Sequence, residues 1–155
     1  MSALELRDYQ LDVVRGVESE IAAGRRRLCL VAPTGSGKTV IAAALIAKAR
    51  DRRERILFIA HRRELIEQAS RKLHDAGIDH GLIQAGFPAR SGERVQVASI
   101  QTLHARAVRT RKIDLPPANL VIIDECHHVR ASSYMKLVDG KRSLIPTLRR
   151  TAAMA

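Results

Sequence analysis

The chain has 155 residues, 46% of them apolar, which is enough for one compact core and too little for two full lobes. Lysine and arginine number 27 against 16 aspartate and glutamate, a formal charge of +11 that points to a polyanionic partner. No apolar run approaches the ~18 residues needed to cross a bilayer, no charged-then-apolar leader is evident, and two cysteines make no disulfide framework, so a soluble cytoplasmic protein without a membrane partner is expected.

Taken in order, helix-like runs near 8–23, 38–50, 63–76, 101–109 and 132–138 alternate with strand-like runs near 28–32, 56–60, 81–84, 95–99 and 120–123. This alternation predicts an α/β fold, a mainly parallel sheet with helices on both faces. The run 63–76 places Leu65, Ile66, Ala69 and Leu73 on one side at helical spacing, so that face should pack on the sheet. Cys29 is expected inside a buried strand. Arginines cluster at 25–27, 50–55, 62–63, 106–112 and 149–150, the first two clusters just before strands, where they are either solvated loop or phosphate contacts.

Between the first strand and the second helix lies Ala32-Pro33-Thr34-Gly35-Ser36-Gly37-Lys38-Thr39. Glycines at 35 and 37 let the backbone from Thr34 through Ser36 curl around an anion with its N–H groups converging, and the helix start adds partial positive charge. Lys38 would reach the β- and γ-phosphates of ATP and the Thr39 hydroxyl would ligate Mg2+. The general pattern opens with glycine, whereas this chain has Ala32, and a glycine-rich turn with an unrelated lysine is the alternative.

A second motif follows the strand Leu120-Val121-Ile122-Ile123, which ends in Asp124-Glu125-Cys126-His127. Open parallel sheets bind ligands at the ends of their strands, so Asp124 and the glycine-rich loop can share one cleft. Asp124 would hold magnesium, through water, and Glu125 would orient and deprotonate an attacking water. Cys126-His127-His128 is a trio of metal-ligand types, but adjacent residues point apart and no second cysteine pair completes a zinc site.

With these motifs in place, the chain resembles the first RecA-like domain of a superfamily 2 helicase or translocase, a P-loop NTPase fold, across nearly all of residues 4–130. Leu6-Arg7-Asp8-Tyr9-Gln10 is similar to the family's adenine-reading motif, and the resemblance implies that Gln10 bonds the base with help from Arg7. Ala32 is common at the first loop position in this family. Ala60-His61-Arg62-Arg63-Glu64-Leu65 and Val97-Ala98-Ser99-Ile100-Gln101-Thr102-Leu103 resemble strand-contacting motifs, which implies nucleic-acid contacts from Arg63, Gln101 and Thr102. Asp124 to His127 is a DECH spelling of the DEAD/DEAH box, with His127 implied to couple the nucleotide site to its neighbours. The wording is most similar to bacterial and phage repair helicases and to type III restriction motor subunits, which favours DNA over RNA as partner.

The resemblance also implies a second RecA-like lobe or partner chain, and this sequence holds one lobe. Residues 1–140 read as the ATP-binding domain, and 141–155 as an uncertain, truncated or divergent tail: Thr151-Ala152 faintly echoes the family's next motif, but Pro146 and Arg149-Arg150 make the preceding run a poor strand. Two functions are therefore expected from different classes: a helicase-type ATPase lobe that couples hydrolysis to nucleic-acid movement with its partner, or a remnant that binds ATP, Mg2+ and nucleic acid without turnover. Gln10 and the run at 60–65 argue against a transporter- or kinase-type P-loop protein.

Overall fold

A computed structural model describes residues 4–90, 92–125, 137, 145 and 148–155. The elements run α1 (Asp8–Ala22), β1 (Arg27–Leu30), α2 (Lys38–Asp51), β2 (Ile56–Ala60), α3 (Arg63–Asp75), β3 (Gly81–Ile83), β4 (Val95–Ser99), α4 (Ile100–Leu103), β5 (Leu120–Ile123) and β6 (Arg150–Met154). The described strands form one sheet in the order β1-β6-β5-β2-β4-β3, parallel at every pairing. The run predicted as a helix over 101–109 is a short α-helix continued by a π-helical turn, His104–Arg109, with Thr110 N–H donating five residues back to Ala105 O. The run 132–138 lies outside the described residues apart from Leu137, which is buried.

Alternation along the central strands divides the core into two layers. Ile56, Phe58 and Ala60 of β2 pack with Ile41 and Ile46 of α2 and Ile66 and Leu73 of α3, while Leu57 and Ile59 pack with Ile100 and Leu103 of α4 and with Leu137 and Ile145. Every residue of β2 and of β5 is buried, as continuous apolar runs are when both faces of a parallel sheet are covered. Helix α3 buries Ile66, Ala69 and Leu73, the face its spacing predicts. None of the described helices is long and apolar enough to cross a membrane.

Two expectations change. Strand β1 stops at Leu30 and is the sheet's edge, so Cys29 is exposed rather than buried and Val31 is 79% exposed. The segment 150–154, within the tail read as uncertain and following a run at 145–150 expected to make a poor strand, is a strand inserted between β1 and β5. The small side chains of Thr151, Ala152 and Ala153 fit between two neighbours, and Glu54 pairs with Arg150 at its start; Pro146 lies outside the described residues.

Candidate nucleotide site and nucleic-acid edge

The loop from β1 to α2 is held by the first turn of α1. Gln10 is 4% exposed; its Nε2 donates to Ser36 O at 3.1 Å, and its Oε1 accepts from Arg7 N–H at 3.0 Å, half of a capping box. Tyr9 Oη donates to the same Ser36 carbonyl at 2.8 Å. Gly35 and Gly37 have φ of 82° and 78°, the left-handed region, and a Cβ at Gly37 would run into the Gln10 carboxamide. Gly37 therefore meets two requirements, the turn and the close approach of Gln10. Its carbonyl accepts from Val40 and Ile41 N–H and opens α2.

Within the loop, Lys38 Nζ donates to Ala32 O at 3.0 Å, laying the ammonium across the ring of backbone. Ser36 Oγ is buried without a hydrogen-bond partner. Thr34 and Gly35 are exposed and Thr39 is half-buried in the first turn of α2. A left-handed glycine turn at a helix start, a lysine folded onto the loop's own first carbonyl and an orphaned hydroxyl fit an anion such as a nucleotide phosphate chain. Beside the loop, Tyr9, Val13, Val31, Pro33 and Ile41 line a hollow of about 500 Å³, with no arginine among its described lining residues. Arg7 is exposed at the start of α1.

At the end of β5, Asp124 is 2% exposed; its N–H donates to Ile59 O, and its Oδ1 accepts from Glu125 N–H, both at 2.9 Å. Strand β6 separates β5 from β1, so the Asp-Glu pair and the loop occupy the same sheet edge two strand spacings apart, roughly 10 Å. Glu125 has φ of 49°, an uncommon conformation for a residue with a side chain, of the kind that concentrates at functional sites. Its Oε2 is buried without a hydrogen bond and lies 3.9 Å from Arg62 Nε.

The same edge continues past β2 and β4. Gln101 Nε2 is 2.7 Å from His61 Nδ1 and 3.3 Å from His61 O, and its Oε1 accepts from Ser99 Oγ at 2.8 Å, tying the two strand ends together. Arg63 is largely exposed and pairs with Glu67 at 2.8 Å. Thr102 differs from the surface contact expected of it: it is 9% exposed and its Oγ1 accepts from Ala85 N–H at 3.2 Å. Position 102 follows β4 on the inner side of α4, which the motif's wording does not convey. Sequence reasoning gave no role to Tyr9, Arg62 or His61, although each lies in a quoted motif. His127, Cys126 and His128 lie outside the described residues.

Strand order and the joining of these motifs along one edge define the class: a RecA-like motor domain of the superfamily 2 helicases. Residues 3–148 match the family described as type III restriction enzyme, res subunit, and the chain belongs to that family. It is 37% identical over 151 residues to a protein of Saccharomyces cerevisiae named "Putative ATP-dependent helicase IRC3", covering 89% of this chain and 21% of that one. It is 33% identical over 139 residues to the type I restriction enzyme EcoKI endonuclease subunit of Escherichia coli, covering 82% and 12%. The fold matches the type ISP restriction-modification enzyme LlaGI, solved with a DNA substrate mimic, at a TM-score of 0.74 and 17% identity, over 97% of this chain and 17% of that one. The chain thus spans about a fifth or less of each of these relatives.

Proposed function

We propose that this chain is the ATP- and nucleic-acid-binding lobe of a helicase or translocase motor, acting on DNA in preference to RNA and coupling ATP hydrolysis to movement once a second RecA-like lobe closes the cleft. The observation that carries the reading is the Gln10–Ser36 stitch, which joins the adenine-reading motif to the phosphate loop. ATP would supply the phosphoanhydride whose cleavage drives the motor, with magnesium neutralising its oxygens. Lys38 exchanges Ala32 O for phosphate oxygens, and the loop N–H groups from Thr34 to Thr39 hold the chain of phosphates. Thr39 and Asp124 would hold magnesium, as their hydroxyl and carboxylate oxygens suit that ion. Gln10 and Arg7 read the adenine beside Tyr9. Glu125 orients the attacking water and takes its proton on a carboxylate oxygen.

Along the rest of the edge, Arg63 and Gln101 would grip backbone phosphates, with Thr102 setting the loop at Ala85 rather than touching the strand. His127 would couple the two regions. DNA is favoured by the restriction-enzyme relatives, one of which was solved with a DNA mimic. A second reading, binding without turnover, is favoured by one observation: among the described residues no arginine lines the hollow beside the phosphate loop, and an arginine supplied to the transferring phosphate is worth about 10³–10⁵ in rate in related enzymes.

Steady-state ATP hydrolysis at low salt, with and without single-stranded or duplex DNA and with Lys38→Ala as the blank, separates these readings. DNA-stimulated turnover above the blank supports the motor lobe. Magnesium-dependent ATP binding without turnover supports the second reading, and neither binding nor turnover overturns both.

A further inference from the structure

The opposite edge of the sheet, where the strands begin, carries a second cluster that the motifs do not use. Thr151 N–H donates to Arg26 O at 2.9 Å, and Arg27 lies in register with Thr151. Parallel pairing therefore sets Arg25-Arg26, after α1, beside Arg149-Arg150, at the start of β6. These four arginines line a hollow of about 530 Å³ together with Ile21 and Glu54.

The charges in the hollow are unevenly matched. Glu54 pairs with Arg150 and accepts from Arg52 Nε at 3.4 Å, so its carboxylate is flanked by two cations, although its Oε2 lacks a hydrogen bond. Arg25 is tied to Glu20 at 3.2 Å. Arg26 and Arg149 are exposed and bond no side chain among the described residues, and Arg150 Nε is a buried donor without an acceptor. With Arg25 matched by Glu20 and Arg150 by Glu54, the charges of Arg26 and Arg149 remain as an excess in the hollow; an anion relieves their repulsion, and the guanidinium fork matches phosphate oxygens.

We propose that this hollow is a second phosphate-binding site, taking backbone phosphates of a nucleic-acid strand on the edge of the sheet away from the nucleotide loop. A strand is favoured over a single free phosphate because the cations are presented by two neighbouring chain segments at an open surface. The proposal rests on the nucleic-acid partner of the proposed function, and the test separates the two.

The test is fluorescence anisotropy of a labelled single-stranded oligonucleotide against the full chain across a salt series, comparing the parent with Arg26→Gln/Arg149→Gln and with Arg62→Gln/Arg63→Gln. Both residues of the first pair are exposed and hold no side-chain partner among the described residues, so that variant is expected to keep the fold. Loss of two phosphate contacts should make the slope of log affinity against log salt shallower by about 1.4. An unchanged slope overturns the proposal. Weakening only in the Arg62/Arg63 variant leaves the proposed function standing and this site refuted; weakening only in the Arg26/Arg149 variant does the reverse for the contacts on the nucleotide edge. Inorganic pyrophosphate titrated into Lys38→Ala chain checks the alternative source: binding abolished by adding Arg26→Gln, with the oligonucleotide slope unchanged, makes this a free-phosphate site and overturns the strand assignment.

Discussion

Arg62 Nε stands 3.9 Å from Glu125 Oε2, linking the chain just after β2 to the chain just after β5. The distance is long and Arg62 is more than half exposed, so the attraction is weak, of the order of surface ion pairs at about 0–1 kcal/mol. The contact joins the two strand ends without giving the buried Glu125 Oε2 a hydrogen bond.

Glu125→Gln preserves the shape of the side chain and removes its basicity. ATP affinity should stay within a few-fold of the parent while any DNA-stimulated hydrolysis falls by roughly 100-fold or more, as expected for loss of a general base. Parallel titration and turnover assays check this, and equal hydrolysis would remove Glu125 from the role of base.

Glu125→Gly tests the backbone rather than the chemistry. Relief of the left-handed conformation at φ 49° should stabilise the fold by about 1 kcal/mol, a rise of a few degrees in melting temperature for a domain of this size. Thermal denaturation followed by circular dichroism reads it. A lowered melting temperature would mean that the side chain's packing outweighs the strain.

Gly37→Ala brings a Cβ against the Gln10 carboxamide in a conformation that disfavours any side chain. A loss of about 2 kcal/mol is expected, with ATP affinity reduced as well. Adding Gln10→Ala removes the clash and should recover part of the stability, although Ser36 O then loses a donor. A double-mutant cycle measured by chemical denaturation checks the coupling; strict additivity would deny the contact.

Glu54 holds β6 in the sheet through Arg150 and is bonded by Arg52. Burial by itself would lower the Arg52 pKa, but its bonds to Glu54 and its attraction to Glu18 hold the guanidinium above the ordinary value. Glu54→Gln leaves the largely buried Arg150 without its counter-charge and should cost about 2 kcal/mol, less than for a fully buried pair, lowering the melting temperature by roughly 4–8 °C. An unchanged melting temperature would show that β6 does not depend on the pair.

The glycine turn before α2 and the Asp124-Glu125 strand end were legible because their signals are local: glycines, a lysine and acids at short spacing next to strands. The presence of β2, β4 and β5 was legible from their strand-like runs, whereas their order in the sheet was not. Strand β6 was not legible because its ladder partners, β1 and β5, lie far away in the sequence, and its own residues, two arginines and small side chains, carry no strand pattern. The bond from Ala85 N–H to Thr102 Oγ1 was not legible because a motif's spelling does not tell which side of a one-turn helix a hydroxyl faces. The meeting of Arg25-Arg26 with Arg149-Arg150 is likewise a product of that strand pairing, and each cluster alone looks like solvated loop.

The most direct test of the central claim is an equilibrium titration of the full chain with a fluorescent ATP analogue, with and without magnesium, alongside Lys38→Ala. Saturable, magnesium-dependent binding that the variant loses is the predicted result. Equal affinity in the two chains would contradict the assignment of the loop at 32–39 as the phosphate site, and with it the motor reading.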